Sequence, residues 1–421
     1  MKSANFEQYA AFIGLDWADR KHDICLQPAG TQRREFSVIE HTPQAIETWA
    51  LGLLERFADG PIALSCELKK GPLINALAKY PHLVIFPLNP ASVAKYRQAF
   101  ACSGAKDDPS DAELQCDLLQ RHFERFTPLL PDSAEMRTLQ QLVEYRRSCV
   151  GDRVRITNRI TSALKNYYPQ PLDWFDSKAT ALFCDFLKRW PSLDCLRNVR
   201  TATLQRFFAA HNVRKATLID ARIASIRKAM PLTNDRGVID ANRIVLETQL
   251  AQLQVLLETI KRLDTKIAAL CKAHTDHRIF ASFPGAGPVF SARLMSAFGD
   301  NRQRYSDAKQ IQTYGGVAPV LERSGKKSWV HWRYAAPTFL RQSFVEWAGE
   351  SVRYSFWANA YYHQQKQRGK PHQTIIRSLA YKWIRIMYRC WKNKQCYDES
   401  TYLNALKAKG SPLLQFAVTD M

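Results

Sequence analysis

A chain of 421 residues is long enough for two or three domains, each with a full core. Its 60 Lys and Arg against 39 Asp and Glu leave a formal net charge of +21, which argues for a polyanionic partner, nucleic acid first. The sequence offers no apolar run of the ~20 residues that span a bilayer, no lipidation signal, no apolar signal core in MKSANFEQYA and, among ten cysteines, no CxxC pair; it therefore argues against a membrane partner, zinc and a disulfide framework, and for a reducing compartment.

In chain order, AFIGLDWA, HDICLQPAG and RREFSVIEH read as three strands of an antiparallel meander. IALSCE and LVIFPLN are short apolar strands on either side of a helix, GPLINALAKY, so an α/β unit with a buried sheet follows. From about residue 134 the period becomes helical, with Arg146, Arg147, Arg153, Arg155, Arg159 and Lys165 between the apolar positions. Leu246, Leu250, Leu253, Leu257, Ile260 and Ile267 form a heptad seam in which only Asp264 is out of character. The two runs read as an antiparallel pair, as a dimer contact, or as plain helices buried in their own subunit. Residues 170–240 between them look helical and carry no motif. The segment from Arg323 to Tyr397 holds 15 Lys and Arg against Glu346 and Glu350, and so supplies 13 of the 21 net charges. The expected division is an α/β domain over 1–127, a helical, coiled-coil connector over 128–275 with an insert at about 170–240, a mainly α-helical basic domain over 276–398, and a tail over 399–421.

The stretch AKDDPSDAEL, residues 105–114, sets four acids within seven positions. Asp108 can cap a helix that opens with Pro109, and Asp111 then lies on the same helix face, where two carboxylates repel unless a cation joins them. Asp-rich helix starts often do nothing but cap. Asp16, however, ends FIGLD and Glu67 ends IALSCE, and an acid at the end of an apolar strand points out of the sheet edge where ligands gather. Together the four make a carboxylate site for hard divalent ions, Mg²⁺ or Mn²⁺, and for attack at a phosphate.

IGLDWADRKHDICL, CELKKGPLINAL and NPASVAKYRQAF followed by KDDPSDAELQ together resemble the ribonuclease H-like (RuvC-like) DEDD domain of the insertion-sequence one-ten family of transposases, also called bridge-RNA-guided recombinases. The resemblance places the family's acids on Asp16, Glu67, Asp108 and Asp111. Asp107 stands where Thr is usual and is a rival of Asp108. The likeness covers roughly residues 11–170 and 276–398 and leaves the middle insert unaccounted for.

FPGAGP at 283–288 resembles the turn of a helix-hairpin-helix, where Gly285 and Gly287 would let a phosphate reach the amides of the next helix, although such a turn is often only a turn. KQIQTYGGVAPVLERSGKK resembles the family's second signature, with Gly316 to Pro319 leading into Ser-Gly flanked by cations. The resemblance places a catalytic serine on Ser324, in a loop where Arg323, Lys326 and Lys327 would offset phosphate charge and Gly325 would admit the strand. In GKPHQTIIRSLAYKWIRIMYRCWKN, Ile375, Ile376, Leu379, Trp383, Ile384, Met387 and Trp391 share one helix face, while Arg377, Lys382, Arg385, Arg389 and Lys392 lie largely elsewhere and suit a nucleic-acid backbone. Trp329, Trp332 and Tyr334 either stack on bases or are packed.

The family implies a transposase acting on donor and target DNA in the bacterial cytoplasm, close to the nucleoid, with a non-coding bridge RNA. It also implies a homotetramer, a dimer of dimers, in which the acids of one subunit meet the serine of another. The rival readings are a RuvC-like structure-specific nuclease of the junction-resolvase type, without serine chemistry, and a non-catalytic nucleic-acid binder.

Overall fold

The computed structural model describes residues 6–58, 60–100, 108–325 and 327–417, with Asp108 described by its backbone alone. The chain forms two compact units, Met1–Pro131 and Asp132–Met421. Among the described residues no helix is long and apolar enough to cross a membrane.

The first unit runs β1 (Ala11–Trp17), β2 (Lys21–Pro28), β3 (Glu35–Glu40), α1 (Pro43–Arg56), β4 (Ile62–Cys66), α2 (Pro72–Leu77), β5 (Leu83–Pro87), α3 (Pro90–Phe100) and α4 (Asp108–Arg121). The strands lie in the order β3-β2-β1-β4-β5, antiparallel across β1, β2 and β3 and parallel across β1, β4 and β5. This is the α/β arrangement that the meander and the two apolar strands predict, and the ribonuclease H-like fold that the family resemblance implies.

Alternation along the strands sorts their side chains onto two faces. Ala11, Ile13 and Leu15 of β1 join Ile24, Leu64 and Cys66 in a core with Ile46, Ala50 and Leu53 of α1 and Leu73 and Leu77 of α2. Phe12, Cys25, Ala63 and Phe86 face the other way, onto Ala112, Cys116 and Leu119 of α4. Gly14 is why α4 can lie so close: a Cβ there would sit 1.9 Å from the Ala112 carbonyl oxygen and 2.5 Å from the Cys116 nitrogen. The buried Ser65 hydroxyl of β4 clasps the same contact, 3.1 Å from the Ile13 carbonyl and 3.0 Å from that of Gln115.

The second unit is mostly helical. Two long helices, α5 (Ala134–Tyr167) and, after the insert, α11 (Arg236–Ala273), pair antiparallel within one chain. One end of the pair, with Val143 and Ile267, is rooted in the C-terminal core; the other, with Ile160, Leu246 and Leu250, is rooted in the insert's core. Leu246, Leu250, Leu253, Ile260 and Ile267 are all buried. Asp264 meets Arg146 of α5 in a two-pronged ion pair, which explains an acid in an apolar seam.

The insert contributes α6 (Pro171–Trp174), α7 (Ala181–Arg189), α8 (Leu193–Arg197), α9 (Thr201–Ala210) and α10 (Ala216–Lys228), closed over an aromatic core of Phe175, Phe183, Phe186, Trp190, Phe207 and Phe208. Beyond α11 follow α12 (His277–Ala281), α13 (Gly287–Phe298), α14 (Ala308–Tyr314), the hairpin β6 (Val320–Ser324) and β7 (Lys327–His331), α15 (Thr338–Ser351), α16 (Phe356–Gln367), α17 (His372–Asn393) and α18 (Glu399–Ala408). The apolar face expected of α17 is buried throughout, and Trp347, Trp357, Trp383 and Trp391 are fully enclosed in this core.

Candidate active site

Asp16 falls on the α4 face of the sheet, two and four residues beyond Gly14 and Phe12. The parallel register of β1 with β4 sets Leu15 beside Cys66, so Glu67, the residue after β4, is level with Asp16. Asp111 stands in the first turn of α4, next to Ala112, whose carbonyl touches Gly14; it is buried, and Arg97 of α3 holds it in an ion pair. Asp108 opens the helix, and its side chain and the whole of Asp107 lie outside the described residues. Asp16, Glu67 and Asp111 are thus carried by the elements that build one end of one sheet face. Among the described residues no three His, Cys, Asp or Glu side chains converge tightly enough to hold a metal ion. The donor set is nevertheless all oxygen, the kind that hard divalent ions take, and a cation, the Arg97 guanidinium, already sits against Asp111.

Two neighbours escaped the sequence reading. Asp23 of β2 pairs directly with Asp16 across the antiparallel ladder and is buried, its charge answered by Lys21 at 3.9 Å. Counting the strand pairing back from the turn at residues 18–20 would have found it. Arg97 would not have been found, because its pairing with Asp111 depends on how α3 meets α4. The other acids of α4 are structural: Arg34 reaches Glu113 at 2.5 Å and Asp117 at 2.6 Å. Burial pushes the Asp117 carboxyl up, but hydrogen bonds from Tyr96, Arg121 and Arg34 hold it below the usual carboxylate range.

Ser324 lies in a hairpin, where the sequence had suggested a loop. Val320, Trp329 and Val330 are good strand formers, and Gly325 takes the left-handed conformation, φ 57°, that a tight turn needs. Ser324 is the last residue of β6, opposite Lys327, and both are exposed. Arg323 and Lys327 have no carboxylate partner among the described residues; Lys326 lies outside them. Glu322 and His331 share the Ser324 face and pair at 3.2 Å. The Gly316–Pro319 signature packs the foot of the hairpin: Gly316 has φ 70°, and a Cβ there would meet that of Ala336 at 2.5 Å.

The remaining candidates are dispersed. Gly285 has φ 68° and abuts the Tyr354 ring and Glu350, while Gly287, φ 47°, is open. Arg385 and Arg389 are exposed on α17, opposite its buried face. Trp332 is packed between guanidiniums, whereas Tyr334 is 82% exposed.

Comparison with known proteins adds to this geometry. A family described as the DEDD transposase of IS110 matches residues 13–169, and one described as the transposase of the IS116/IS110/IS902 family matches residues 277–363. The chain is 28% identical over 98% of its length, and 99% of the relative's, to a Streptomyces coelicolor protein named as the mini-circle transposase for IS117. It is 25% identical to a 44.8 kDa protein of insertion element IS116 from Streptomyces clavuligerus, over 69% of this chain and 72% of that one. A 42 kDa protein of insertion element IS900 from Mycobacterium paratuberculosis is 23% identical, over 70% of this chain and 74% of its own.

Proposed function

Because the chain belongs to the IS110 family of transposases, enzymes that cleave DNA and transfer its strands, we propose that it cuts and rejoins insertion-sequence DNA with carboxylate-held metal and a serine nucleophile. The observation that carries this reading is the strand register, which sets Glu67, just past β4, level with Asp16 on the sheet face that packs against α4, the helix that also bears Asp111. In this reading Asp16, Glu67, Asp108 and Asp111 hold Mg²⁺ or Mn²⁺, with Asp107 as a rival for Asp108. Bound there, the ion supplies polarisation of a phosphoryl oxygen and offsets charge at the phosphate.

Ser324 Oγ attacks a DNA phosphorus. The Oγ–P ester forms as one deoxyribose O–P ester breaks, and the serine proton ends on the departing hydroxyl. Arg323, Lys326 and Lys327 offset the charge of the crowded phosphoryl group, and Gly325 leaves room for the strand. Because the phosphoserine keeps the ester bond, a hydroxyl of the second strand rejoins the DNA by the reverse exchange, without a high-energy cofactor. A bridge RNA pairs with donor and target DNA. A homotetramer, as a dimer of dimers, brings the acids of one subunit and the serine of another to the same phosphate. Arg385, Arg389 and the backbone at Gly285 and Gly287 contact nucleic-acid phosphates. The functional divisions at residues 127, 275 and 398 and a place in the bacterial cytoplasm at the nucleoid belong to the same reading.

Replacing Asp111 by Asn tests the metal site. The variant is expected to lose recombination and to lose the heat of Mg²⁺ binding to the protein–nucleic-acid complex. Normal recombination by the variant, or no divalent-ion binding by the wild type, would contradict the proposal.

A further inference from the structure

The cations of the second unit are not all answered by acids. Arg293, Arg302 and Arg304 are largely buried and meet Glu346, Asp276 and Asp132 at 2.6, 2.6 and 2.8 Å. At the foot of the serine hairpin the pattern breaks. Trp332, the residue after β7, has the Arg377 guanidinium 3.5 Å from its ring centroid and that of Arg341 at 5.1 Å. Arg341 Nη1 donates to the Arg333 carbonyl at 3.2 Å, and Arg333 Nε donates to the Ala318 carbonyl at 3.3 Å. Arg377 Nε donates to the Gln373 carbonyl at 3.4 Å.

Among the described residues, then, all three arginines bond only to backbone carbonyls, and none has a carboxylate within ion-pair distance. Each is half-buried, so solvent screens the like charges only in part. Burial, and then the neighbouring Arg341, lowers the pKa of Arg377. The cluster is built by the second signature: Gly316 at φ 70° brings its backbone within 3.4 Å of Arg341 Cδ, measured from where a Cβ would stand, and Ala318 supplies the carbonyl that holds Arg333. Guanidiniums fixed on an aromatic ring, with donors unused and no protein anion, suit a phosphate, which they bind in two-pronged fashion.

We propose that Arg333, Arg341 and Arg377, arrayed around Trp332, anchor a second backbone phosphate on the DNA strand that Ser324 attacks. This rests on the serine reading for the choice of strand. Four residues of β6 separate Val320 at the hairpin's foot from Ser324 at its end, which at ~3.3 Å per residue is about 13 Å. Phosphates recur every ~3.4 Å of helix axis on each strand and also wind around it, so a phosphate at that reach is a few nucleotides from the attacked one. The anchor fixes the strand so that a single phosphodiester stands at the serine.

The test uses the full chain and labelled duplex DNA from the element's end. Arg341→Gln with Arg377→Gln is expected to weaken binding about tenfold or more and to lower the log–log salt slope by roughly one, the share of a single phosphate. An unrelated duplex should lose as much. Replacing one DNA phosphate at a time by an uncharged methylphosphonate should reveal a position, a few nucleotides from the protein-linked phosphate, where the wild type loses affinity and the double variant does not. An unchanged melting curve guards against a folding defect, and Arg341→Lys with Arg377→Lys, which keeps the charge but not the two-pronged contact, is expected to keep the salt slope while losing part of the affinity. A Gln variant that folds and keeps the wild-type affinity and slope overturns the proposal. So does a loss confined to the cognate sequence, or one seen only when a structured RNA replaces the DNA. Ser324→Ala should bind as the wild type does, so a failed serine reaction with an intact methylphosphonate footprint sinks the serine reading and leaves the anchor standing.

Discussion

Gly14 has no side chain because the backbone of α4 occupies the place of one, with Ala112 O and Cys116 N inside contact distance of a Cβ. Backbone cannot swing aside as a long side chain does. Gly14→Ala should therefore cost on the order of 1–3 kcal/mol or more, read as a lowered denaturation midpoint, and should displace Asp111 along with the helix. His22 gives the same unit a pH dependence. It is fully buried on β2, its Nε2 lies 2.9 Å from His41 Nδ1, and burial, then the charge of His41, pushes its pKa down to about 4. The folded state resists a proton that the unfolded chain accepts below about 6.5. Stability should therefore fall as pH drops from about 6.5 towards 4, and His22→Gln should flatten that fall in denaturant titrations; an equally steep fall in the variant would remove His22 as its cause. At this scale Asp16 and Glu67 are legible in the sequence as candidates, because acids that end apolar strands stand out. The sequence hid Asp23 and Arg97, which become neighbours of the site only through strand register and the meeting of two helices.

Elements with a buried face were legible. The seam of α11 and the face of α17 announce themselves because each must hide one stripe of apolar residues; the α17 face is wholly buried, and of the seam only Leu257 is half-buried. The seam's partner, α5, was visible as a helix, but the pairing within one chain emerges only from contacts such as Arg146 with Asp264. The β6–β7 hairpin was missed because every described residue from Leu321 to His331 is exposed, so no buried side imposes a readable period. On α17 the exposed Arg385 and Arg389 stand clear of that core. Exchanging both for Glu should weaken binding to target and unrelated DNA alike and flatten its salt dependence, as measured by anisotropy titrations at several salt concentrations. A loss restricted to the target would mean that these side chains read bases.

For the whole molecule, the excess of positive charge and the acids answer different needs. The net charge of +21 draws in a polyanion, and in the proposed reading the few carboxylates near the sheet end would hold a metal, without which they would repel the same phosphates. The first unit carries those acids and the second carries Ser324 and its cations, so the proposed chemistry needs both to act on one phosphodiester. The most direct measurement is a denaturing gel of the full-length protein after reaction with Mg²⁺ and end-labelled DNA. A labelled strand is expected to migrate with the protein, and to disappear in both Ser324→Ala and Asp16→Ala. A Ser324→Ala protein that still cuts the DNA and releases a free strand would contradict the serine step and identify a nuclease that works through its carboxylates alone.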